Sequence, residues 1–157
     1  MEEPRTLPQL LDASVAAHAS RTAIVTLEVR WSYAELGDRV DRLARALVAQ
    51  GVGKGSRVGI LMENLPDWVA FAFAATGIGA VFIPVSTFSK QDDVEYQLRH
   101  ADVSHLFLSA RFLKNDYLGM LRHHARNAIK REVRRCAVVQ LGSGPTGDSG
   151  GDTERRV

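Results

Sequence analysis

A chain of 157 residues is long enough for one domain with a sizeable core. Its 45% hydrophobic and 24% charged residues, with a formal charge of +2, exclude a disordered chain and give no electrostatic reason to expect nucleic acid as the partner. A lone cysteine, Cys136, excludes an intrachain disulfide and the paired thiolates of common zinc sites.

The opening Met-Glu-Glu-Pro-Arg has neither a basic n-region nor an apolar h-region, so it does not read as a secretory signal, and a reducing, cytoplasmic compartment is expected. Pro8 to His18 then spaces Leu10, Leu11, Val15 and Ala16 as an amphipathic helix, with Thr6 as its cap and Pro8 in the first turn. Thr22 to Leu27 and Arg30 to Tyr33 are rich in β-branched and aromatic residues, which predicts a hairpin whose turn lacks Gly or Asn. Ser32 with Glu35 is a capping box, predicting a helix from Tyr33 with Leu36, Val40, Leu43, Ala44 and Leu47 on one stripe and Gly51 as its left-handed stop.

Arg57 to Met62 reads as a strand buried on both faces. Pro66 suits the first position of a second helix, apolar nearly all round through Trp68, Phe71 and Phe73 to about Gly77, and Ala80 to Val85 returns to strand. The uncharged run Val69 to Val85 approaches the length of a membrane span, but Gly77, Gly79 and Pro84 break it into a helix and a strand, so no transmembrane segment is expected. Ser89 with Asp92 predicts the cap of a helix through Val94, Tyr96 and Leu98 to about Ala101. His105 to Leu108 follows as a strand, Asn115 to Arg126 as a helix and Cys136 to Leu141 as a last strand.

This alternation predicts an α/β fold: a mostly parallel sheet with helices on both faces, preceded by an N-terminal hairpin. Residues 1–141 form the α/β part, and the Gly, Ser, Thr, Pro and Asp of residues 142–157 predict a flexible tail.

Chemistry is sparse along this frame. His100 and His105 are five apart across a helix end, and the adjacent His123 and His124 point about 100° apart on a helix, so neither pair suits a metal. Cys136 follows Arg134 and Arg135, which would lower a thiol pKa; a small buried hydrophobe is the preferred reading. The basic run Arg111 to Arg135 lacks interleaved aromatic residues and reads as a solvated helix face. Gly51 to Ser56 looks like a phosphate loop but joins a helix to a strand, the reverse of the order that aims amides at phosphate.

Several stretches nevertheless carry a resemblance. Trp31-Ser-Tyr-Ala-Glu-Leu36 matches the phrase W-[ST]-Y-x-E-L, and Ala44 to Val58 matches A-x-x-L-x-x-x-G-V-x-x-G-D-x-V except for Ser56 in place of Asp. Glu63-Asn-Leu-Pro-Asp-Trp68 and Gly79-Ala-Val-Phe-Ile-Pro-Val85 match the next turn and strand, and Asp92 to Asp102 mirrors E-x-x-Y-x-L-x-x-[AS]-[DE]. From Leu7 to about Leu121 the chain resembles the start of the AMP-binding, adenylate-forming ligase superfamily, and is most similar to bacterial fatty-acyl-CoA synthetases.

The resemblance implies a parent enzyme that uses ATP and Mg2+ to convert a fatty acid or other carboxylic acid into acyl-AMP, then transfers the acyl group to CoA. It also implies that the phosphate loop, the nucleotide site and a Lys on a small C-terminal domain lie beyond the matched segment. Ser143-Gly-Pro-Thr-Gly-Asp-Ser-Gly-Gly151 echoes the phosphate loop, but Gly150 stands where its Lys belongs and Pro145 removes an amide donor. No catalytic, cofactor-binding or metal residue is therefore assigned, and no cofactor is expected for this chain alone. The expectation is a truncated N-terminal region of an acyl-CoA synthetase, inactive by itself. The alternative is a non-catalytic interaction module that self-associates through exposed apolar surface.

Overall fold

The computed structural model describes residues 5–109, 111–112, 115–116 and 137–141. The backbone divides into two compact units, Met1–Ser56 with Asn64–Phe82 and Arg57–Glu63 with Ile83–Val157.

The first unit contains α1 (Leu7–His18), the antiparallel hairpin of β1 (Thr22–Val25) and β2 (Arg30–Ser32), and α2 (Tyr33–Ala49). Past the next strand, α3 (Pro66–Gly77) also belongs to it. Thr6 caps α1 by accepting the Gln9 amide at 3.4 Å. The expected stripe of α1 is narrower than its spacing: Leu11 is buried and Val15 half-buried, whereas Leu10 and Ala16 are exposed. Both sit about 100° or more round the helix from the Leu11–Val15 line that meets α2.

The hairpin strands are shorter than expected because Thr26 builds the turn. Its Oγ1 accepts the amides of Glu28 at 3.3 Å and Val29 at 3.0 Å, and its own amide donates to the Val29 carbonyl at 2.8 Å. A threonine side chain thus supplies what Gly or Asn would otherwise supply.

The capping box of α2 forms in full, with Ser32 N–H donating to Glu35 Oε2 at 2.7 Å and Glu35 N–H to Ser32 Oγ at 3.2 Å. α1 and α2 approach closely at Gly37, where a Cβ would lie 3.2 Å from Val15 Cγ2. Leu11, Trp31, Leu36 and Ala70 form the buried centre of this unit, flanked by Ile24, Val40, Leu43 and Phe73. Each such side chain removed from water contributes roughly 1.5–3 kcal/mol. Trp68 adds an edge-on contact with Phe82 at 5.3 Å.

The second unit is built on a four-stranded sheet of order β4-β3-β5-β8, with β3 at Arg57–Leu61, β4 at Val81–Pro84, β5 at His105–Ser109 and β8 at Ala137–Leu141. β4 is the strand along which the chain enters this unit. β5 lies parallel to β3 and to β8, with Val58 opposite His105 and His105 opposite Ala137. Every residue of β3 and β5 after the first is buried, as expected of parallel strands covered on both sides.

α4 (Gln91–His100) covers one face, its Val94 and Leu98 packing with Leu61, Val85, Val103, Leu106 and Leu108. Its start is one residue beyond the Ser89 cap expected from sequence. Ser89 is taken up in a turn closed by its amide on the Ser86 carbonyl at 3.1 Å, and the helix end is met instead by Lys90 N–H donating to Asp93 Oδ2 at 3.3 Å. The amino ends of β3 and β5 are tied by Ser104, whose amide and Oγ both donate to the Arg57 carbonyl at 2.8 and 3.1 Å.

Across the two units α2, α3 and α4 end alike. The amide two residues past each helix cap region returns to a carbonyl five residues back: Val52 to Leu47, Ala80 to Ala75 and Val103 to Leu98, each at 3.0 Å. The residue before it is left-handed in each case, Gly51 at φ 83°, Gly79 at 78° and Asp102 at 49°. This is the Schellman arrangement, and its apolar contact is present because Val52, Ala80 and Val103 are buried.

The helix expected from Asn115 is corrected at its start. Asn115–Asp116 is a two-residue strand, β7, paired antiparallel with β6 (Arg111–Phe112). The two halves of a tight ladder satisfy each other's backbone groups locally, in competition with a helix. The rest of that expected helix, Cys136, His123, His124 and the 142–157 tail lie outside the described residues.

Candidate functional site

In an open parallel sheet, ligands gather beyond the carboxyl ends of the strands where successive connections leave in opposite directions. Here the chain passes from β3 to β4 on one side, and from β5 to β8 on the other, so that point lies between β3 and β5. Met62 and Glu63 follow β3 at this edge, and Ser109 closes β5. Leu61 and Leu108, opposite one another in the register, are fully buried beneath it. Ser109 is 5% exposed and is the one buried polar residue among the described residues. The Oε2 of Glu63 is buried with no hydrogen-bond partner among the described residues.

The cations of these strands are elsewhere. Arg57 and His105 stand at the amino ends, where Arg57 Nε donates to the Ala101 carbonyl and His105 Nδ1 lies 3.0 Å from Ser104 Oγ. His100 stacks on Tyr96 with ring centroids 5.4 Å apart. His100 and His105 thus have separate partners, and among the described residues no three His, Cys, Asp or Glu side chains are grouped to hold a metal.

The Gly51–Ser56 loop has five of its six amides engaged. Gly51, Val52 and Ser56 donate to the carbonyls of Val48, Leu47 and Gly53, Gly55 donates to Gly79, and Gly53 donates to Ser56 Oγ. Amides used to fold a connector are not available to phosphate, so this loop does not form an anion cradle. The loop therefore does not fit a nucleotide-phosphate site, and no reaction step is assigned to it.

Two constellations escaped the sequence reading. Arg39, off the apolar stripe of α2, lies 4.4 Å over the Trp31 ring and donates to Asp67 Oδ1 at 2.7 Å, which joins α2, the hairpin and α3 within the first unit. Its charge is held by stacking and pairing together. Glu63 leads the turn after β3; its signal in the sequence is an acidic residue that ends the apolar run Val58 to Met62.

Comparison with known proteins decides the relationship. The AMP-binding enzyme family matches residues 11–155 of the sequence. This chain belongs to that family. An acyl-CoA ligase, sidI, of Aspergillus fumigatus is 38% identical over 82 residues, which is 52% of this chain and 14% of the relative. A putative acyl-CoA synthetase, YngI, of Bacillus subtilis is 30% identical over 140 residues, covering 88% of this chain and 25% of the relative.

Among solved structures, the N-terminal subdomain of Klebsiella oxytoca NpsA in complex with 3-hydroxyanthranilyl-AMSN superposes with a TM-score of 0.65 and 26% identity. That match covers 68% of this chain and 27% of NpsA's. The chain thus spans a quarter or less of the two relatives. Its mixed α/β architecture with a parallel sheet is that of the N-terminal part of adenylation enzymes. No helix among the described residues is long and apolar enough to cross a membrane.

Proposed function

We propose that this chain forms the opening part of an acyl-CoA synthetase and does not turn over by itself. The observation carrying this reading is the family match over residues 11–155, supported by relatives named as acyl-CoA ligases or synthetases. In the complete reaction a carboxylate oxygen attacks the α-phosphorus of ATP and pyrophosphate leaves. The CoA thiol then attacks the acyl carbonyl, and AMP leaves. Magnesium supplies positive charge to the phosphates in the first step. The substrate is a fatty acid or related carboxylic acid, and the compartment is the cytoplasm, for which the single cysteine is the support.

The role of the present residues is architectural: the capped helices and tied strands hold the sheet edge against which later segments assemble. Residues 1–141 serve as that incomplete α/β part and residues 142–157 as its tail. ATP–pyrophosphate exchange with the 157-residue chain, magnesium and medium- or long-chain fatty acids is expected to stay at background. Exchange well above background, abolished by dialysis of magnesium, overturns the reading.

A second reading, self-association as an interaction module, is favoured by the exposure of large apolar side chains: Leu27 is fully exposed, Phe88 is 85% exposed and Leu7 54%. Surfaces of this kind associate. Light scattering over a concentration series separates the two, since a monomer at all concentrations removes the module reading.

A further inference from the structure

We draw no further inference here: the strongest candidate, the apolar surface patch at the tip of the β1–β2 hairpin, where Val25 and Leu27 are exposed and Arg30 is the cross-strand partner of Val25, carries nothing because nothing in the structure shows what covers it.

Discussion

Alanine at position 59 would place a methyl group in the middle of β3, where a Cβ lies 3.1 Å from Leu106 Cδ1, 3.1 Å from Val103 Cγ1 and 3.5 Å from Leu98 Cδ2. Two effects compete. Removing glycine lowers the conformational entropy of the unfolded chain, which stabilises by about 0.4–1 kcal/mol. Against this, two methyl groups must retreat by a few tenths of an ångström. Leu106 is 0% exposed and Val103 8%, both in the packed core of the second unit, so their room to move is small. Overpacking of such a site costs about 1–3 kcal/mol. The steric cost wins, leaving Gly59→Ala less stable by about 1–2 kcal/mol. Urea denaturation should show a lower midpoint at unchanged slope, and the thermal midpoint should fall by about 2–4 °C per kcal/mol.

Leu106→Val removes one of the two nearest methyls and is mildly destabilising alone. The double variant should recover part of the Gly59→Ala loss, giving a favourable coupling of about 0.5 kcal/mol or more. A stabilised Gly59→Ala chain, or strict additivity in the double variant, would refute the reasoning.

Asp102 holds a left-handed conformation that glycine adopts without cost, so Asp102→Gly should raise stability by up to about 1 kcal/mol in the same urea assay. Thr26→Val keeps the shape but deletes the acceptor of two turn amides; it should destabilise the hairpin by about 1 kcal/mol. Faster amide exchange at Glu28 and Val29 checks this. The Glu35 carboxyl is held below its ordinary range by the backbone amide of Ser32 and then by its hydroxyl, against a small opposing effect of burial. A depressed carboxylate contributes stability that is present above its unfolded pKa and lost as pH falls through the folded one. Acid titration followed by circular dichroism should therefore show Glu35→Gln less sensitive than the unaltered chain in that acidic window, and equal sensitivity would count against the cap.

The elements that sequence made legible are those whose signals are local. Ser32 and Glu35 specify their helix start through atoms three residues apart, Pro66 and Gly51 mark a beginning and an end, and the apolar run of β3 announces a covered strand. The misplacements arose where a short polar side chain had two uses. Thr26 bonds within a turn that propensity left unspecified, and Ser89 enters a turn with Ser86 in place of capping α4. The stripe of α1 was drawn too wide because periodicity names a face but not the width of what covers it; Leu10 is 48% exposed.

The candidate site was less legible for a different reason. Glu63 and Ser109 are far apart in sequence and meet one edge only through the strand order, which no local pattern encodes. Arg39 and Asp67 likewise are 28 positions apart, and their pairing depends on how α2 and α3 pack.

The interleaving of the two units bears on synthesis. β3 emerges from the ribosome before α3, yet its pairing partner β5 begins at His105, directly after Ser104, which lies 47 positions beyond Arg57. The earlier unit needs only the stretch through Phe82 to close its helical core. Vectorial translation thus leaves Arg57–Leu61, apolar after its first residue, waiting with its β5-facing edge open after β4 has been made. Pauses in elongation between Phe82 and Ser109 would lengthen that vulnerable interval and favour capture by a chaperone.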